Sequence, residues 1–107
     1  MVLTPNKNYV NGRAFEYKVM EMMKEKYKCD FICRSAGSHS LWDIVAYNSD
    51  SGDIYFIQCK KGKSKVSDVD SFNMSLHSKR MSFYEIVHFW KVSKLMRGLP
   101  ITIEVIG

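Results

Sequence analysis

The chain's 107 residues suffice for one hydrophobic core and are too few for two. Its 46% apolar and 25% charged residues, without repeats or biased tracts, exclude a repeat array or a low-complexity segment. The formal charge is +5 with an isoelectric point near 9.2, no run reaches about 18 apolar residues, and MVLTPNKNYVNGR lacks a signal peptide's apolar core, so a soluble intracellular protein without membrane contact is expected.

Residues 11–27 have helical periodicity, with Phe15, Val19, Met22, Met23 and Tyr27 on an apolar stripe and Glu16 at its border. The short run 30-DFICR-34 predicts a strand, and 35-SAGSHS-40 is a loop of small residues. Two further strands, 41-LWDIVAY-47 and 54-IYFIQC-59, flank the turn signal 48-NSDSGD-53 and predict an antiparallel hairpin. Residues 62–73 read as an irregular loop. A second helix is expected over 78–96, apolar around most of its circumference, then a last strand at 101-ITIEVI-106 after Gly98 and Pro100. The excess apolar surface of 81-MSFYEIVHFW-90 would either wrap into the core or form an interface between two copies.

Cys29, Cys33 and Cys59 are an odd number in strand-like segments and are expected to be buried, reduced thiols. A zinc site at Cys29 and Cys33 is disfavoured, because four residues along a strand span about 13 Å. The positive charge is clustered: Lys60, Lys61, Lys63 and Lys65 lie close together, and Lys79, Arg80, Lys91, Lys94 and Arg97 populate the C-terminal third. Such clusters suit a polyanion through counterion release, or form a solvated basic surface.

The third strand ends awkwardly for a buried element. Alternation puts Ile54, Phe56, Gln58 and Lys60 on one face and Tyr55, Ile57 and Cys59 on the other. Hairpin pairing brings Asp43 near Gln58 and Lys60, and Glu16 can approach from the first helix. Two carboxylates, an amide oxygen and an ammonium are the groups that a magnesium-dependent phosphodiester hydrolase requires.

The segments 12-GRAFE-16, 34-RSAGSHSLWDIVA-46 and 57-IQCK-60, in this order of elements, resemble the PD-(D/E)xK nuclease superfamily and most closely its archaeal Holliday-junction resolvases. The resemblance spans essentially the whole chain and implies a single nuclease domain over residues 1–107. The implied fold class is α/β with a restriction-endonuclease-like αβββαβ core, a central mixed sheet flanked by helices. Trp42 stands where the superfamily has proline, and Gln58 stands where it has the second acid, as in the Q-x-K motif of Mrr-like nucleases. A metal would therefore rest more heavily on Asp43, Glu16 and the backbone carbonyl of Cys59.

The roles implied by the resemblance are these. Asp43 would be the central ligand of Mg2+, or of Mn2+ in its place; Gln58 would orient the metal and its water; Glu16 would complete the shell directly or through water; Lys60 would position the attacking water or stabilise charge on the reacting phosphate. Arg13, Arg34, Ser35 and Ser38 would contact phosphates, and Lys61, Lys63 and Lys65 would track the DNA backbone. The implied activity is homodimeric endonucleolytic cleavage of branched DNA. The alternatives are a Mrr-like or single-strand nuclease of a mobile element or virus, and a DNA-binding module that has lost catalysis.

Overall fold

The computed structural model describes residues 7–34, 41–61, 66–81, 86–94 and 100–106. The order of elements is α1 (Lys7–Glu25), β1 (Phe31–Arg34), β2 (Ile44–Tyr47), β3 (Ile54–Lys61), α2 (Asp68–Arg80), β4 (Val87–Lys94) and β5 (Thr102–Val105). The strands form one open mixed sheet in the order β1-β2-β3-β4-β5, antiparallel except for the parallel pair β3 and β4. The protein is thus α/β, with the expected αβββαβ core and one additional edge strand.

Helix α1 packs through Phe15, Val19 and Met23, a stripe at helical spacing, onto Ile44, Ala46, Tyr55, Ile57, Cys59, Trp90 and Val92. Its end is closed by Lys28 at φ 59°, a left-handed position usually given to glycine, while the Cys29 N–H donates to the Met23 carbonyl at 3.0 Å. The hairpin turn follows from its sequence. Asn48 Oδ1 accepts from the backbone N–H groups of Asp50 and Ser51, and Gly52 supplies the positive φ of 83°.

Two expectations are corrected in the second half. Part of the segment read as loop is the start of α2, whose N-cap Ser67 accepts from the Asp70 N–H at 3.1 Å. The segment expected to be helical over 78–96 instead contains β4. Phe89 and Trp90 are adjacent and both buried, because successive side chains of a strand enter opposite faces and this sheet is covered on both. An apolar character on every side is common to a wrapped helix and a two-faced strand; here the strand wins because β4 is hydrogen-bonded between β3 and β5. The apolar residues 87, 89, 90 and 92 therefore belong to the sheet, and the dimer interface expected in 81–90 is withdrawn for them.

On the second face, Met74 of α2 packs with Trp42 and Phe89, backed by Phe56 and Val87. The Trp42 indole N–H donates to His77 Nδ1 at 3.2 Å, and the Ser78 hydroxyl donates to the Ile106 carbonyl at 2.8 Å. These bonds tie α2 to the strand entering the candidate site and to the last strand. Cys29 and Cys59 are buried free thiols as expected, whereas Cys33 is exposed on the edge strand β1.

Candidate metal and phosphate site

The pairing of Ile44 with Ile57 fixes the register of the hairpin, and its continuation sets Asp43 opposite Gln58. The Asp43 N–H donates to the Ile57 carbonyl at 2.9 Å, and Asp43 Oδ2 accepts from the Cys59 N–H at 2.8 Å. The carboxylate therefore bridges the point where β2 stops and β3 continues. N–H and C=O of one residue in an antiparallel pairing point to the same edge, so the Cys59 carbonyl is directed toward that end as well.

Gln58 is 6% exposed, and its Oε1 finds no hydrogen-bond donor among the described residues. Leaving such an atom unmatched costs roughly 1–3 kcal/mol, so its presence calls for a function or a missing partner. Lys60 lies two residues on, on the same face. Across the site, Glu16 Oε2 pairs with Arg34 Nη1 at 3.0 Å, and the Arg34 guanidinium lies 5.4 Å from the centre of the Tyr17 ring.

The charges are coupled. Burial holds the Asp43 carboxyl above the ordinary carboxylate range and the Glu16 carboxylate raises it further; the Cys59 N–H, Lys60 and Arg34 act against this. Burial also pushes the Cys59 thiol up, reinforced by Asp43 and Glu16, so Cys59 stays a neutral thiol and its backbone carbonyl is its useful donor.

The predicted residues fall into three groups. Asp43 accepts from the Cys59 N–H, stands opposite Gln58 by register and feels the charges of Glu16, Lys60 and Arg34, and Arg34 is the partner of Glu16, a role that sequence alone did not suggest. Arg13 is half-buried on α1, one turn before Glu16. Ser35, Ser38, Lys63 and Lys65 lie outside the described residues, and of Lys61 only the backbone at the end of β3 is described. Trp42, read only as a departure from a motif, is 7% exposed and stacks within the second core 5.3 Å from Phe89, so it anchors the chain one residue before Asp43.

The donor set fits a hard divalent cation. Carboxylate, amide and carbonyl oxygens suit Mg2+ or Mn2+, and Gln58 Oε1 supplies an acceptor with no competing donor among the described residues. Among the described residues no three His, Cys, Asp or Glu side chains form a metal-holding group. No described helix is long and apolar enough to cross a membrane.

No protein-family model matches the chain, and no curated protein matches it in sequence. What fold and site define is a mixed α/β protein with an acid, amide and lysine cluster at the open end of its central hairpin.

Proposed function

We propose that this protein is a divalent-metal-dependent DNA endonuclease that hydrolyses phosphodiesters in branched DNA and works as a homodimer. The observation that carries the reading is the buried Gln58 Oε1, which has no hydrogen-bond donor among the described residues, opposite the half-buried Asp43. Asp43, Glu16, Gln58 Oε1 and the Cys59 carbonyl would hold Mg2+ or Mn2+. Such an ion, when bound, supplies Lewis-acid polarisation of the phosphate and makes a water more acidic.

The chain's own groups do the rest. The Cys59 N–H keeps the Asp43 carboxylate oriented, Arg34 holds Glu16 at the same end, and the Lys60 ammonium neutralises charge that grows on the phosphate oxygens. The basic residues supply contacts to the DNA backbone that position a duplex without reading its bases, so DNA shape is the expected determinant of substrate choice.

A second reading rests on a specific observation: among the described residues the cluster holds two carboxylates, one of them already paired with Arg34. That composition suits a DNA-binding module without catalysis. Cleavage assays with Mg2+ or Mn2+ on four-way junction, linear duplex and single-stranded DNA, with Asp43→Ala as control, separate the readings. Metal-dependent cutting of the junction alone supports the proposal. Equal cutting of all three removes the preference for branched DNA, and binding without cutting favours the silent module.

A further inference from the structure

Glu16 has two claimants. It belongs to the set of oxygens that fits a divalent cation, yet its Oε2 accepts from Arg34 Nη1 at 3.0 Å, with the Arg34 and Glu16 side chains 23% and 20% exposed. A guanidinium held this close to a carboxylate and a divalent cation on the same carboxylate would face each other as like charges, in a site partly screened from water. One of them has to yield.

The placement of Arg34 indicates what it does when it yields. It is the last residue of β1 and pairs in register with Ile44, so it stands at the end of the sheet where Asp43 enters. Its guanidinium lies 5.4 Å from the centre of the Tyr17 ring, which follows Glu16 on α1 and is 52% exposed. An aromatic face holds a cation without fixing its direction, and a guanidinium carries more donors than one carboxylate oxygen uses. Released from Glu16, Arg34 therefore stays at the edge of the site with a fork of donors suited to a phosphate. Its charge also reaches Asp43, whose carboxyl it lowers against the effect of burial. Arg34 thus offsets both carboxylates before a metal arrives.

We infer that Arg34 stands in for the metal at Glu16, and that its exchange from the Glu16 carboxylate to a DNA phosphate couples metal binding to DNA binding. A metal entering at Glu16 frees Arg34 for phosphate, and a phosphate that draws Arg34 away frees Glu16 for the metal. By linkage, each ligand tightens the other by the same factor. The inference rests on the metal-site reading of the Asp43 end. It gives the ion pair a positioning role in place of a disabling one.

Calorimetric titration of Mn2+ into the full chain without DNA tests it through a double-mutant cycle of Arg34→Met and Glu16→Gln. Arg34→Met is expected to tighten Mn2+ binding about threefold to tenfold when Glu16 is present, and by less than about twofold in the Glu16→Gln background. Arg34→Gln gives the same pattern, and the circular dichroism spectra match that of the wild type. Equal tightening in both backgrounds would reflect only the loss of a positive charge, and it overturns the inference, as does weaker binding in Arg34→Met. Fluorescence anisotropy of a labelled four-way junction supplies the second readout, taken in the cleavage-impaired Lys60→Ala protein. There Mn2+ is expected to tighten junction binding at least about threefold with Arg34 and less than about twofold with Arg34→Met. A gain independent of Arg34 contradicts the coupling. Absence of Mn2+ binding in every variant counts against the metal-site reading itself and the inference falls with it, whereas Mn2+ binding indifferent to Arg34 counts against the inference alone.

Discussion

Asp53 stands just before β3 and Asp43 lies across from its other end, yet the fold treats the two carboxylates in opposite ways. Hydrogen bonds from Ser51 and His88 hold Asp53 below the ordinary carboxylate range, with His88 Nε2 at 2.9 Å and its ring stacked 4.7 Å from that of Tyr55. Asp43 is held above that range by burial, opposite an amide oxygen with no donor among the described residues. One end of the strand satisfies its polar groups within the fold. The other concentrates groups that the fold alone leaves poorly matched, as a binding site does.

The largest effect expected is catalytic. Lys60→Ala is expected to lower metal-dependent DNA cleavage about 10²–10³-fold under single-turnover conditions, the usual loss when one charge-stabilising donor is removed. Gel-shift affinity for the same DNA should change far less. Equal losses in affinity and cleavage would reduce Lys60 to a DNA contact.

Next comes stability. Gln58→Leu removes the orphaned acceptor and keeps similar bulk, so urea denaturation without metal should show a gain of about 1–3 kcal/mol. A loss of stability would mean that the amide has a partner in the folded protein and that the two ends of β3 do not differ as described.

The same substitution at both ends should then act with opposite sign. Asp43 has its folded-state pKa raised above the ordinary 3.8, so the folded state binds its proton more tightly and the ionised group costs stability at neutral pH. That cost is absent below 3.8, where folded and unfolded forms are both protonated, and it develops as the pH rises through the folded-state value. Asp43→Asn should therefore raise Tm at neutral pH and lose the advantage in acid. Asp53 has its pKa lowered, so its contribution is present above 3.8 and disappears as the pH falls through the folded-state value. Asp53→Asn should lower Tm at neutral pH and have little effect in acid. Thermal melts of both variants across pH check the pair, and shifts of the same sign would break the contrast.

The smallest effect lies away from both ends. Lys28→Gly relieves the left-handed backbone at the end of α1 and should stabilise the protein by about 0.5–1 kcal/mol, without affecting metal or DNA binding. It serves as a control for strain unrelated to the site.

The Asp43 end of this contrast is legible in the sequence, whereas the pairing of Asp53 with His88 is not. The hairpin of β2 and β3 has strict alternation around a dense turn, which fixed the shared face of Gln58 and Lys60 and brought Asp43 alongside. The second half was misread because its helix hides its character. Val69 and Phe72 face outward, so α2 shows no inward stripe, although Ser67 followed by Asp70 three residues later was a usable start signal. Burial of β4 on both faces erases its period of two, so its apolar pattern imitates a helix. The pairing of Arg34 with Glu16 joins residues 18 apart on different elements, and no local pattern encodes it.

The central claim is that the Asp43 and Gln58 end of the sheet is a metal site. The most direct measurement is calorimetric titration of Mn2+ into wild-type, Asp43→Asn and Gln58→Glu protein without DNA. The account predicts saturable binding to the wild type, binding about tenfold or more tighter in Gln58→Glu, where a charged oxygen replaces a neutral one, and none in Asp43→Asn. Equal binding by all three proteins, or no binding by any, would contradict it.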